Sequence, residues 1–347
     1  MNIAVDGMGG DFAPIEIVKG CVQASELIGR EDKIFIVGIE DVIKKELKKY
    51  KFNHSKIKIV GATEVITNED APVKAARAKK DSSMIKGLSL VKDGTCDFFI
   101  SAGNTGALMA GSLFRLGRIP GVERPVIGMI YPIIGGDVSF LVDAGANAEC
   151  KPKHLLQFAR MGCIYMEKVL GVENPSVGLI NIGAEEKKGT EMLRDTYKLL
   201  KESELNFVGN IEGRDIPYGA ARVLVCDGFV GNTVLKLTEG LAQRMMEQLK
   251  SILGKDMKTK MGALMLMNEF KSLKAMMDYS EYGGAPILGV KGEVVKIHGS
   301  SNAGAVKNAI VKGFPYVGNN VVGIISDAAE ARAKEKEADP EEPTDAE

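Results

Sequence analysis

The 347-residue sequence has no tryptophan, only three histidines and no surplus of charge, with 45 Lys and Arg against 46 Asp and Glu. A formal charge of −1 excludes a dedicated nucleic-acid binder, which needs a marked basic excess. The five cysteines (Cys21, Cys96, Cys150, Cys163 and Cys226) are scattered, with no C-x-x-C pair. No disulfide framework and no metal site is expected from them, and a reducing cytosol is the expected compartment. The amino terminus lacks the basic and apolar regions of a signal peptide. No apolar run approaches the roughly 18 residues that a membrane-spanning helix requires. Nucleotide fingerprints are missing too. Gly7-Met8-Gly9-Gly10-Asp11-Phe12 fails G-x-G-x-x-G at Phe12, and Lys188-Gly189-Thr190 has the wrong order for a P-loop. No cofactor is expected.

Glycine is abundant instead, at 40 residues. Short apolar runs end repeatedly in glycine beside Asp, Asn, Ser or Thr. Asn2–Val5 leads into 6–11, Phe98–Ile100 into 101–106, Phe140–Val142 into 143–147 and Val177–Ile180 into 181–183. Phe207–Val208, Arg222–Val225 and Val294–Ile297 follow the same pattern. These runs read as strands buried on both faces. Helical spacing follows several of them, as in the stripe Val234, Leu237, Leu241, Met245 and Ile252. Strand, glycine turn and helix in repetition predict an α/β fold: a mainly parallel, doubly wound sheet with helices on both faces. Ligands bind such sheets beyond the carboxyl ends of the strands. Small-residue loops there expose backbone N–H groups to an anion, most simply phosphate. On this reading Gly9, Gly10, Ser101, Asn104, Thr105, Gly231 and Ser300 are the phosphate-binding candidates. Each loop taken alone is equally a turn that needs glycine.

The combination of these blocks resembles one family. Met1–Asp11 with Ala13-Pro14, Lys79–Met84, Ser101–Ala107, Leu141–Asn147, Gly209–Asp215, Cys226–Asn232, Glu281–Pro286 and His298–Ser301 are similar to the phosphate acyltransferases of bacterial phospholipid synthesis. The likeness runs from residue 1 to about 325. It implies transfer of a fatty acyl group from acyl carrier protein to inorganic phosphate, giving acyl phosphate. It implies a homodimer with a fold similar to phosphotransacetylases and isocitrate or isopropylmalate dehydrogenases. A phosphotransacetylase-like use of acyl-CoA, or a phosphate-sensing scaffold without turnover, remains as an alternative.

Such chemistry needs no protein nucleophile, since phosphate itself attacks the thioester. The protein must position phosphate, stabilise the oxyanion and assist the leaving thiolate. Lys188 looks like the family's Lys-Gly pair and is the expected charged phosphate ligand; a solvated helix start is the other reading. His298 lies in a strand-end glycine loop, suited either to protonating the thiolate or to bonding a loop carbonyl. His54 and His154 flank no such loop and are expected on the surface. Asn104 and Asn232 are donors to phosphate or carbonyl oxygen, or helix caps. Asp227 orients a base or water, or pairs with Lys188 or Arg214. An acyl group parked on Cys226 or Cys150 is the disfavoured alternative, because a thiol closing an apolar strand is usually inert.

Half of the 16 methionines fall between Met245 and Met277. Met261, Leu264, Leu266 and Met267 continue through Phe270, Leu273 and Met277 with lysines at the edges. A protruding helical hairpin over about 240–280 is expected, meeting an anionic membrane surface, a membrane acyltransferase or the second subunit. The expected location is cytoplasmic, peripherally attached to the inner face of the cell membrane. An acidic carrier protein needs a basic face, either Lys74, Arg77, Lys79 and Lys80 or Arg115, Arg118 and Arg124. One α/β domain is expected over 1–326 and a disordered acidic tail over 327–347. The tail holds nine acids and three bases, so residues 1–326 carry 42 bases against 37 acids.

Overall fold

A computed structural model describes residues 1–267, 269–270 and 282–338. The apolar runs form the strands of a single 11-stranded sheet. In chain order the first half holds β1 (Asn2–Asp6), α1 (Ile15–Ser25), β2 (Lys33–Gly38), α2 (Glu40–Leu47) and β3 (Ile57–Gly61). It continues with α3 (Pro72–Ala78), α4 (Ser83–Lys92), β4 (Phe98–Ser101), α5 (Thr105–Arg115), β5 (Val126–Pro132) and β6 (Val138–Val142). Then come α6 (Pro152–Leu170), β7 (Val177–Asn181), α7 (Glu191–Lys201), β8 (Phe207–Glu212), a 3₁₀ turn (Ile216–Tyr218) and β9 (Val223–Val225). The last part holds α8 (Gly228–Leu253), α9 (Met257–Met265), β10 (Ala285–Leu288), β11 (Glu293–Lys296), α10 (Ala303–Gly318) and α11 (Val321–Ala338).

The strand order is β3-β2-β1-β4-β11-β10-β5-β6-β9-β7-β8. The first five of these are mutually parallel, and so are the last four. β10 and β5 join the two halves through three antiparallel pairings, so the halves run in opposite directions. Alternation along the strands sorts the core onto two faces. Ile3, Val5, Ile34, Ile36, Phe98, Ile100, Phe140, Val142, Val223 and Val225 belong to one continuous cluster with residues of α1, α6 and α10. The opposite face carries two separate clusters. One gathers Ala4, Phe35, Val37 and Phe99 with α4 and α5; the other gathers Leu141 and Leu224 with Ile216.

Three expectations change here. β8 is an edge strand with exposed Val208 rather than a strand buried on both faces. Of the stripe on α8, Val234 packs on the body, but Leu237, Leu241, Met245 and Ile252 are each more than half exposed among the described residues, where the helix projects from the body. The stretch from Asp327 to Ala338 is helical rather than disordered, since α11 packs on α6 through the buried Val321 and Ile325. Arg332 also reaches Glu204, which Arg160 holds at 3.0 Å. Residues 339–347 lie outside the described residues, as do Leu273 and Met277 of the expected hairpin. No helix among the described residues is long and apolar enough to cross a membrane.

Candidate functional site

A cavity of about 450 Å³ opens beside the cluster that gathers Ala4, Phe35, Val37 and Phe99, with Ile127, Ala144 and Ala285 in its wall. Ile127 and Met129 of β5 and Ala285 of β10 floor it. Loops from the ends of β1, β4, β6 and β11 rim it, and α8 closes one side with Asn232, Leu235, Lys236 and Glu239. Thr105 in the first turn of α5 and Ala305 in the first turn of α10 also line it. Helix amino ends carry unsatisfied N–H groups and partial positive charge, which favours an anion.

Close backbone approach explains the glycines on this rim. A Cβ on Gly9 would lie 2.5 Å from Asp6 Oδ2 and 2.7 Å from Gly103 N. Gly10 has φ +101° and sits where a Cβ would be 3.0 Å from the carbonyl of Gly299. Asp11 N donates to that same carbonyl at 2.7 Å, tying the β1 and β11 loops together. Beneath them Asp6 is buried and accepts from Ser101 Oγ at 2.7 Å, while Ser101 Oγ accepts from Gly103 N at 3.0 Å. Burial pushes the Asp6 carboxyl above its usual range, opposed by hydrogen bonds from Ser83, Ser101 and Met8. Ser101 is therefore a buried tie and not the expected phosphate ligand.

The Asp143 carboxylate does the same work on the other half. It accepts from Gly145 N at 3.0 Å, Ala146 N at 2.9 Å, and Asn147 N and Nδ2 at 2.7 and 2.8 Å. This holds Gly145 against Asn232, whose Cβ and Cγ would lie 3.4 and 3.6 Å from an added Cβ. A Cβ on Gly231 would meet the Asp143 carbonyl at 1.8 Å, so Gly231 lets α8 seat on the end of β6. Its role is packing.

The electrostatics centre on two lysines and a histidine. Lys236 Nζ lies 3.3 Å from His298 Nε2 and 2.8 Å from Glu239 Oε2. His298 Nδ1 is 2.7 Å from Ser300 Oγ. Burial, reinforced by the Lys236 ammonium, pushes the His298 pKa down, which favours the neutral ring. Lys296, at the end of β11, donates to the Ile297 carbonyl and lies 3.4 Å from that of Ala102. Burial pulls its pKa down to about 8, opposed by Asp6 and Asp11. Lys236, Lys296 and Asp11 escaped the sequence reading. Lys296 was hidden inside a strand, and only its position one residue before His298's loop signalled it.

Other expected residues sit elsewhere or do other work. Asn104 caps α5, accepting from Ala107 N at 3.0 Å, with Nδ2 3.4 Å from the carbonyls of Thr67 and Asn68. Asp227 caps α8, accepting from Val230 N at 2.8 Å, and Arg214 pairs with Glu212 and Asp215 instead. Lys188 does not line the cavity; it is half exposed beyond β7, 3.8 Å from Glu185. His154 is buried, not on the surface, with Nε2 3.1 Å from Glu123. Cys226 is buried and its thiol is pushed well up by burial, while that of Cys150 is pushed up to about 12. Neither supplies thiolate at neutral pH, which counts against an acyl-cysteine route. Met261, Leu264, Leu266 and Met267 are exposed on and just beyond α9.

Comparison with known proteins gives this cavity a context. The model of the family described as "Fatty acid synthesis protein" matches residues 1–323. The "Phosphate acyltransferase" of Clostridium tetani is 52% identical over 328 residues, covering 94% of this chain and 97% of that protein. The "Phosphate acyltransferase" of Clostridium acetobutylicum is 54% identical over 328 residues, covering 94% and 98%. Among solved structures, a phosphotransacetylase from Streptococcus pyogenes superposes with a TM-score of 0.59 at 14% identity, covering 91% of this chain and 94% of that one. The last likeness bears on the fold alone.

Proposed function

The chain belongs to the fatty acid synthesis protein family and is an acyltransferase, and from that premise we propose that it moves a fatty acyl group from acyl carrier protein to inorganic phosphate. The product is acyl phosphate for phospholipid synthesis. The observation that carries this reading is the meeting of Lys236, Lys296 and a neutral His298 in one cavity faced by the amino ends of α5 and α10.

Lys296 and Lys236 hold hydrogen phosphate as a dianion, with Thr105 and Asn232 adding donors. Asp11, a carboxylate on an anion's rim, accepts the single P–OH hydrogen and so aims an unprotonated oxygen at the thioester. That oxygen forms the new C–O bond at the carbonyl carbon. Negative charge builds on the carbonyl oxygen, where Asn232 Nδ2 donates to it. The C–S bond then breaks, and the departing thiolate takes the proton that began on phosphate, giving acyl phosphate and free thiol.

The exposed stripe of α8 fits a second copy of the chain. The exposed apolar residues of α9, with Lys258 and Lys260 on the same helix, fit an anionic membrane surface on the cytoplasmic side. Incubation with phosphate and either acyl carrier protein thioester or acyl-CoA, trapping acyl phosphate with hydroxylamine, tests the reading. Product with the carrier thioester supports it. Product with acyl-CoA alone favours the phosphotransacetylase-like alternative, and none with either donor leaves a phosphate-binding scaffold.

A further inference from the structure

The two basic clusters that compete in the sequence become neighbours in the fold. α3 packs along α5, and the guanidinium of Arg77 lies 4.7 Å from the centre of the Phe114 ring. Three successive helices, α3, α4 and α5, carry Lys74, Arg77, Lys86, Lys92 and Arg115 and no acidic residue. Lys86 is engaged with Asp81 at 2.6 Å, and Lys79, just beyond α3, with Asp70 at 2.6 Å. Lys74 and Arg77 instead stand exposed on α3 beside the exposed Pro72, Val73 and Ala78. Val73 and Phe114 are 52% and 43% exposed, so the face pairs positive charge with apolar anchors.

This face adjoins the cavity. Pro72 abuts Gly106 in the first turn of α5, where an added Cβ would meet its ring at 3.0 Å. Thr105, the residue before, lines the cavity, and so does Asn68 in the loop leading to α3. From Thr105 to Phe114 the helical rise spans about 13 Å. A tethered thioester can cross that distance while its carrier stays docked.

We propose that the face formed by Lys74, Arg77, Val73 and Phe114 on α3 and α5 is the docking surface for an acidic carrier protein that delivers the acyl thioester. The delivery role rests on the function proposed above; the docking itself does not. Like-signed charge along these helices, with Glu69 and Asp70 confined to the loop before α3, selects an acidic partner and speeds its encounter, with a strong dependence on salt. In the other cluster of the sequence, Arg118 is already engaged, donating to the Glu123 carbonyl at 2.5 Å.

The test reads docking and turnover separately. Fluorescence anisotropy of labelled acyl carrier protein gives Kd, and its palmitoyl thioester gives KM and kcat, for wild type, Lys74→Glu/Arg77→Glu and Arg118→Glu/Arg124→Glu. The first pair is expected to weaken Kd and raise KM by roughly tenfold or more, to flatten the salt dependence and to leave kcat within about twofold. The second pair is expected to change neither. An unchanged Kd in the first pair overturns the proposal, as does a loss confined to the second. So does a shift of the first pair from dimer to monomer in sedimentation, or a loss of liposome binding with Kd intact. Wild type that binds the carrier yet makes no acyl phosphate refutes the proposed function and leaves the docking surface standing.

Discussion

Replacing Lys296 by Met separates binding from stability, because the two should move in opposite directions. Burial lowers the pKa of Lys296 from 10.5 to about 8. At about 1.4 kcal/mol per pH unit, keeping that ammonium charged costs the folded state about 3 kcal/mol. Between pH 8 and 10.5 the unfolded chain binds the proton that the folded chain has released, so wild-type stability rises with pH across that window. Below pH 8 the penalty is complete. Lys296→Met removes it and gives up contacts to the carbonyls of Ala102 and Ile297. A net gain of roughly 2 kcal/mol is expected at pH 7, turning into a loss of about 1 kcal/mol above pH 10.5, where only the missing contacts count. A bound phosphate should draw the pKa back up, so wild-type phosphate affinity should fall as pH rises past about 8. Loss of a charge-assisted bond should raise the phosphate KM roughly ten- to a hundredfold in the variant and abolish that pH limb. Urea denaturation at pH 7 and 10, with phosphate KM across pH 6.5–9.5, measures both. A variant that unfolds more easily at pH 7, or one that keeps the wild-type phosphate KM, would falsify the assignment.

Asp11→Asn should let sulfate compete with phosphate, because sulfate offers no hydrogen to a carboxylate acceptor; equal sulfate inhibition of both proteins removes that role from Asp11. Gly231→Ala drives a methyl group to 1.8 Å from the Asp143 carbonyl, so a loss on the order of 3 kcal/mol in denaturant is expected, and a neutral result contradicts the seating of α8. Lys188→Ala should raise the phosphate KM by only a few fold, well short of Lys296→Met, in parallel steady-state assays; equal effects would put Lys188 in the cavity. Leu264→Glu with Leu266→Glu should release the protein from anionic liposomes in flotation, and retained binding eliminates α9 as the contact.

The strands were legible because alternation and length betray them. Each apolar run, from Asn2–Val5 to Val294–Ile297, coincides with a strand, with only Arg222 and Ile297 falling one residue outside. The opposed halves were not legible, since no local pattern distinguishes β10 or β5 as antiparallel. Glycine and small polar residues located the strand-end loops correctly, but the same composition serves two ends. At Gly9, Gly10 and Gly231 it relieves crowding; at Ser101 and Asn104 it ties backbone. Which residues face the cavity depends on where α8 crosses the sheet, and that is a long-range outcome. Lys236 looked like one turn of an ordinary helix, and Lys296 like the end of a strand. The α8 stripe has the period of a buried helix, yet beyond Val234 it meets no surface among the described residues.

The sheet order also constrains the sequence of events during synthesis. β4 ends at Ser101, yet its neighbour β11 pairs Lys296 with that residue. Until the ribosome has delivered the last quarter of the chain, β4 is an open edge of a four-stranded parallel sheet, a template for wrong pairing. Nor does the cavity exist before then, since its floor needs β10 and its charge needs Lys296 and His298. A truncated or stalled chain therefore lacks this cavity, which forms only when the molecule is nearly whole.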